Sequence, residues 1–119
     1  MGFRDKSMSR LVLLILVLLL SSCASTEFSP YPGAPDYPAY SGEVRLLDAF
    51  PQEGSYDMVG IVIARGVDRT EKEDLIEALK LEAAKRGANT IVLQGDIKLS
   101  SRGDSREKVL GAYGLRLRP

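Results

Sequence analysis

The sequence predicts a small α+β domain with the element order β-β-α-β-β, in which one helix packs on one face of a small mixed sheet. Two apolar runs, residues 56–64 and 88–95, are of strand length and are bounded by turn residues. Between them lies a segment whose apolar residues recur at helical spacing. We expect this domain to occupy residues 43–119.

The first predicted strand begins at Glu43, where polar and apolar residues alternate, and ends near Pro51. Residues 51–55, PQEGS, are typical of a turn. The second predicted strand, residues 56–64, is apolar at nearly every position. Strands buried on both faces have this composition, so we expect this strand in the middle of the sheet.

The helix is predicted from a start signal, a periodic stripe and a stop signal. Residues 70–73 match a capping box, in which Thr70 caps backbone N–H groups and Glu73 reaches back. Gly87 follows two basic residues and suits the left-handed position that ends a helix. The apolar stripe consists of Leu75, Ile76, Leu79 and Ala83.

The third predicted strand, residues 88–95, follows the helix almost directly, and residues 96–107 are predicted as a loop, although residues 97–99 could extend the strand. In the fourth predicted strand, residues 109–118, Arg116 and Arg118 alternate with apolar side chains.

A β-α-β crossover predicts that the second and third strands are parallel neighbours, with hairpins on either side. One helix covers one sheet face, so we expect the other face to pack on a partner or a second copy, or to be solvated.

The amino-terminal residues match a secretory signal peptide. Residues 1–10 are net basic, and residues 11–20 are wholly aliphatic. A helix of ten residues rises only about 15 Å, half of a hydrocarbon core of about 30 Å, so it is too short for a permanent span. We therefore expect residues 1–22 to be removed.

The only cysteine, Cys23, follows this run in the sequence Leu20-Ser21-Ser22-Cys23. This pattern resembles the lipobox of bacterial lipoproteins, a family in which the chain is cut before the cysteine and the thiol receives a diacylglyceryl group. The resemblance implies cleavage between Ser22 and Cys23 and a lipid anchor on Cys23. An ordinary signal peptide with an incidental cysteine is the alternative. In such lipoproteins an aspartate directly after the cysteine tends to retain the protein at the inner membrane. Ala24 stands at that position here, so in a two-membrane bacterium the resemblance implies the outer membrane, facing the periplasm.

Residues 23–42 are predicted to be a tether between this anchor and the domain. They hold four of the six prolines and three tyrosines. Proline favours an extended chain, which at about 3.1 Å per residue could reach about 60 Å. The alternation of tyrosine and proline also leaves open that the segment is itself a recognition sequence.

Composition limits the chemistry. The chain has no histidine and no second cysteine, so His/Cys metal sites, Ser/His/Asp or Cys/His nucleophiles and internal disulfides cannot be built. Residues 23–119 have 13 basic and 15 acidic residues, a net charge of about −2 that gives no reason to expect nucleic acid. We expect no metal, no cofactor and no enzymatic activity.

Residues 83–92, AAKRGANTIV, together with Val59-Gly60-Ile61, resemble a group of small bacterial envelope domains. The group includes the stress-sensor lipoprotein of the Rcs phosphorelay and the YbjQ-like proteins named for heavy-metal binding. The resemblance covers residues 43–95 and implies a fold rather than an activity. The disulfide-forming cysteines of the Rcs sensor are missing, and the domain contains no soft metal ligand.

One further motif, Arg102-Gly103-Asp104, is the tripeptide that integrins recognise, although its composition is also that of an ordinary turn.

From the signal peptide, the lipobox, the composition and the resemblance together we expect a lipid-anchored, non-enzymatic envelope protein that docks to another envelope protein, with self-association possible. A cell-wall-binding lipoprotein and an adhesive or ligand-binding surface protein are the alternatives.

Overall fold

The computed structural model describes residues 24–102 and 105–118. One helix packs on a six-stranded mixed sheet, which confirms the predicted α+β class at this level. Cys23, the predicted signal peptide, Gly103 and Asp104 lie outside the described residues. The elements in chain order are β1 (Ala24–Pro30), β2 (Arg45–Leu47), β3 (Tyr56–Val67), α1 (Lys72–Lys85), β4 (Thr90–Leu93), β5 (Lys98–Arg102) and β6 (Ser105–Leu117).

The order of the strands across the sheet, β1-β3-β6-β4-β2, differs from the prediction. Strand β6 lies between β3 and β4 and is antiparallel to both. The second and third predicted strands therefore run parallel, as expected, but they are not neighbours. The reason is length: β3 and β6 pair from Tyr56↔Leu117 to Val67↔Glu107, whereas β4 offers only four residues.

The predicted hairpin between the first two strands is also wrong. Strand β2 lies at the opposite edge, parallel to β4. The loop after it brings Phe50 against the sheet face that α1 leaves open, with ring centroids 5.0 Å from Tyr113 and 6.0 Å from Tyr56. The chain thus covers part of that face itself, while Ile61 and Ile63 remain half-buried there.

The segment predicted as a loop, residues 96–107, forms most of a hairpin. Strand β5 pairs antiparallel with the first half of β6, from Lys98↔Val109 to Arg102↔Ser105. It lies on the same side of β6 as β4, so the suggestion that residues 97–99 extend the third strand was close to what is observed.

The structure corrects the predicted tether most strongly. Residues 24–30 form β1, which pairs antiparallel with β3 from Ala24↔Gly66 to Pro30↔Gly60. Residues 31–42, which we call the strap, then pass around the carboxyl end of α1, where the Tyr40 N–H donates to the Ala84 carbonyl at 2.8 Å. The folded unit therefore includes residues 24–42, and the predicted boundary at Glu43 is wrong.

The core lies between α1 and the central strands. Leu75, Leu79 and Ala83 are fully buried, and Ile76 is half-buried, as the predicted stripe requires. The strand residues that meet the helix are Val62, Ala64, Ile91, Leu110 and Ala112.

No helix in the described ranges is long and apolar enough to cross a membrane.

The predicted capping box does not form. The helix is preceded by Glu71 as its N-cap residue, and no side chain makes a capping hydrogen bond. Thr70 is buried instead, and its side chain would meet a Cβ placed on Gly66. Thr70 packs against Gly66 of β3 and therefore does not cap the helix. Glu73 remains exposed in the first turn.

The predicted helix stop has the expected geometry. Gly87 has φ 91°, a left-handed conformation that costs a glycine nothing. The Gly87 N–H donates to the Ala84 carbonyl at 3.0 Å and the Ala88 N–H to the Ala83 carbonyl at 2.9 Å. These two bonds form a Schellman motif, which turns the chain directly into β4.

Candidate binding site

The candidate site is a cavity of about 380 Å³ at one end of the sheet, beside the strap, the carboxyl end of α1 and the last residues of β6. We call it the arginine groove, because three arginines from two strands and the chain end line it. Its lining residues are Tyr40, Glu43, Arg45, Asn89, Thr90, Arg116, Leu117 and Arg118.

Arg116 is held across the end of the helix. It lies on the helix side of β6, and its Nη1 donates to the Gly87 carbonyl at 3.0 Å. Its guanidinium carbon lies 5.5 Å from the centre of the Tyr40 ring, within the range of a cation–π contact. The strap and the helix end therefore fix the direction of this charge.

Arg118 forms an ion pair with Asp57, with Nη2 donating to Oδ1 at 2.7 Å. This bond, followed by one from the Tyr37 hydroxyl, holds the pKa of Asp57 below its usual value. The same pair raises the pKa of Arg118. Partial desolvation, followed by the bond to Asp57, raises the pKa of Tyr37. The strap is thus joined to β3 and the chain end by one polar network.

Arg45 adds an exposed positive charge to the groove. It belongs to the edge strand β2, whose backbone is held by a bond from the Arg45 N–H to the Asn89 carbonyl at 3.0 Å. Within residues 24–102 and 105–118, neither Arg45 nor Arg116 has a carboxylate partner. A guanidinium donates along a planar fork that matches a carboxylate or phosphate, so the groove is suited to anionic groups.

Asn89 holds the two strands of the groove together. Its Oδ1 accepts from the Leu117 N–H at 2.8 Å, and its Nδ2 donates to the Leu117 carbonyl at 3.3 Å. The side chain thereby satisfies the N–H and the carbonyl of Leu117, which lie beyond the last residue pair of β4 and β6, Thr90↔Leu115.

A second cavity, of about 410 Å³, lies on the other side of the strap. The Arg86 guanidinium lies 4.9 Å above the Phe28 ring and bonds Glu82 at 3.2 Å, so this charge is already engaged. We therefore regard the arginine groove as the stronger candidate. The residues that line the second cavity are Phe28, Pro30, Ala34, Pro35, Asp36, Tyr37, Val59, Lys85 and Arg86.

The other residues singled out from the sequence are not brought together at the groove. Arg102 pairs with Ser105 in the last described residue pair of the hairpin, and Gly103 and Asp104 fall outside the described residues. Across the described part of the chain, no cluster of three or more His, Cys, Asp or Glu side chains is arranged to hold a metal ion.

Sequence reasoning found part of the groove. The alternation of Arg116 and Arg118 is visible in the sequence, but it does not show which strands lie beside them. Arg45, Asp57 and the strap tyrosines join the site through pairings across more than 20 residues of sequence, for which no local pattern exists.

No family model matches the sequence, and no curated protein matches it. Among solved structures, the chain is similar to the Francisella virulence factor FvfA, with a TM-score of 0.49 and 22% sequence identity. The similarity covers 76% of this chain and 97% of that one.

Proposed function

We propose that the protein is a non-enzymatic envelope lipoprotein, anchored through Cys23, which docks through the arginine groove to an acidic segment of another envelope protein. The observation that supports this is the position of the groove, at the end of the sheet opposite Ala24. We also propose kinship with the small envelope lipoproteins that residues 43–95 resemble.

The position of the groove follows from the strand register. Ala24 lies beside Gly66, which pairs with Lys108 on β6, and the groove includes Arg116, eight residues further along that strand. At about 3.4 Å per residue the separation is about 27 Å. A lipid on the residue before Ala24 would therefore leave the groove facing away from the bilayer.

The chemistry of the groove supports an acidic partner. Asp57 already neutralises Arg118, whereas Arg45 and Arg116 line the cavity and have no carboxylate partner in the described part of the chain. A carboxylate seated between them would accept charge-assisted hydrogen bonds, which are shorter and stronger than neutral ones. The partner's carboxylates would then set the register of docking and the rate of association.

Peptidoglycan also carries carboxylates, on its peptide stems, and the same arginines could donate hydrogen bonds to them. The two occupants differ in what a crosslinker at the groove would capture, so one experiment separates them.

The anchor is tested by Cys23→Ser in the full chain. We expect the variant to lack the lipid mass, to stay uncleaved or mislocalised, and to leave the membrane fraction. Normal membrane fractionation of this variant would contradict the proposed anchor. Ser25→Ala, on the open side of β1, is the control and should behave as the unchanged chain does.

Docking is tested with a photoreactive residue at position 45 in cells, and with Arg69→photoreactive residue as the control. Both side chains are exposed, but Arg69 follows the end of β3 that lies beside Ala24. We expect one envelope protein to be captured at position 45 only, with the crosslink mapping to a segment rich in Asp or Glu. Capture of muropeptides would favour the cell-wall alternative, and capture of lipid or of further copies alone would overturn docking.

A further inference from the structure

Four residues on neighbouring strands form one row across the sheet. Ala24 pairs with Gly66, Gly66 with Lys108, and Lys108 with Leu99. We call this the anchor row, because Ala24 directly follows Cys23. Neighbouring strands lie about 4.8 Å apart, so Leu99 is about 14 Å to the side of Ala24 and level with it along the strands.

The hairpin of β5 and β6 continues past the anchor row. Three more residue pairs follow Leu99↔Lys108, ending at Arg102↔Ser105, whereas β3 continues by one residue, Val67. At about 3.4 Å per residue the hairpin extends about 10 Å beyond the row. Cys23, whose Cα is about 3.8 Å from that of Ala24, can lie beyond it by only about one residue.

This geometry limits where the hairpin can be. If Cys23 carries a glyceride, its Sγ lies at the level of the lipid headgroups, a layer about 5–7 Å thick on each side of the hydrocarbon. Strand β1 belongs to the sheet, so no flexible spacer separates the anchor from the hairpin. With the strands standing along the bilayer normal, residues beyond the anchor row on β5 and β6 would therefore enter the headgroup layer or lie along it.

The side chains near the row are compatible with that layer. Leu99 is 66% exposed and Val67 is 49% exposed, so both can reach apolar surface. Lys98 and Arg106 are exposed and basic, whereas the nearby Glu107 is paired with Arg65 at 3.8 Å. Neither basic side chain has a carboxylate partner among residues 24–102 and 105–118. Aliphatic side chains flanked by basic ones are typical of segments that lie at an anionic membrane surface.

We propose that the β5–β6 hairpin, with Leu99, Lys98 and Arg106, lies on the anionic phospholipid surface of the membrane that holds the Cys23 lipid. This inference rests on the proposed anchoring and deepens it, because it fixes the orientation of the domain. The arginine groove is then held facing away from the bilayer.

The test uses the full chain, matured in cells and reconstituted in vesicles of phosphatidylethanolamine and phosphatidylglycerol that contain brominated lipid. Leu99→Cys and the control Leu81→Cys each receive a fluorescent thiol label, since a thioether on Cys23 blocks the native thiol. Leu81 is also 66% exposed, but it lies on α1, about 14 Å along the axis from Lys72. We expect quenching at position 99 to exceed that at position 81 by at least about twofold.

Mass spectrometry of the same samples separates the two possible failures. A lipidated chain with equal quenching at both positions overturns the hairpin contact and leaves the anchor standing. A membrane-bound chain without lipid on Cys23 overturns the proposed function and this inference with it.

The charge is tested by Lys98→Glu with Arg106→Glu in the chain labelled at position 99. We expect quenching to fall by about half in these vesicles, because the reversed charges are repelled by phosphatidylglycerol. Lys80→Glu with Lys85→Glu, on the helix, makes the same change of charge and should leave quenching unaltered. Equal effects of the two pairs overturn the contact with anionic lipid.

Discussion

Gly87 joins the helix, the strap and the groove at a single residue. A Cβ at this position would meet the Tyr37 Cβ and lie 2.9 Å from the Pro38 carbonyl oxygen. Its own carbonyl accepts the bond from Arg116. The sequence predicted the left-handed conformation, but not the contact with the strap, because the strap arrives from 50 residues earlier in the chain.

We therefore expect Gly87→Ala to destabilise the fold strongly. The left-handed backbone costs about 1–2 kcal/mol for alanine, and the crowded Cβ about 1–3 kcal/mol more. Gly54→Ala is a matched control, since Gly54 has φ 88° and no atom within 4 Å of the added Cβ. Urea unfolding measures both, and equal losses for the two variants would contradict a packed strap.

We expect the ion pair of Asp57 with Arg118 to make the stability of the fold depend on pH in the acid range. Because its folded-state pKa is lowered by Arg118 and then by Tyr37, its contribution to stability is complete above the unfolded-state pKa of about 3.9. That contribution is lost as the pH falls from there through the lower folded-state value. Below that range the carboxyl group is neutral in both states.

The expected consequence is a difference in melting temperature between the unchanged chain and Asp57→Asn that is constant near neutral pH and disappears under acid. Calorimetry at a series of pH values measures it. Asp48→Asn removes the same charge from an exposed residue outside this network and serves as the control. A difference that persisted at the lowest pH would show that the ion pair is not its source.

Among the elements, the helix and β3 were predictable because their patterns are local. The stripe of Leu75 and Leu79 faces the sheet, and the apolar run from residue 56 became an interior strand. The strand order was not predictable, because the β3–β6 ladder joins residues about 40 to 60 positions apart and alternation does not specify a neighbour.

Strand β1 was missed because proline dominated the interpretation of residues 23–42. The signal was nevertheless present: Ala24, Thr26 and Phe28 alternate with Ser25, Glu27 and Ser29. The first set lies on the helix side, where Phe28 covers Gly60. Three prolines follow in the strap, which needs few ladder hydrogen bonds because it crosses the end of the helix rather than joining the sheet.

Phe28→Ala tests whether β1 contributes to the fold. The ring is half-buried, so we expect a loss smaller than the about 3–5 kcal/mol of a fully buried phenylalanine. Glu27→Ala, on the opposite face of the same strand, should cost much less, since exposed ion pairs such as Glu27–Arg65 contribute about 0–1 kcal/mol. A free tether would show no loss in the free energy of unfolding for either variant.

For the whole molecule, the start of β1 at Ala24 bears on the proposed orientation at the membrane, because no spacer would separate a lipid on Cys23 from the sheet. A flexible tether of residues 23–42 would have left orientation and reach undefined. With β1 starting at Ala24, the proposed anchor would lie at one end of the sheet, and the arginine groove lies at the other. In the proposed arrangement the orientation would follow from the strand register and not from the affinity of any single side chain.

A flexible insertion between Cys23 and Ala24 tests whether the rigid connection through β1 or the hairpin's own affinity for lipid sets the orientation. About twelve Gly and Ser residues would span about 20 Å, enough to lift the anchor row clear of the headgroups. Lipidation, membrane fractionation and stability should not change, because the insertion precedes β1. We expect the label at position 99 to lose its excess quenching over position 81. Retained quenching would mean that the hairpin binds lipid by its own affinity, so that the rigid connection through β1 would not be what sets the orientation.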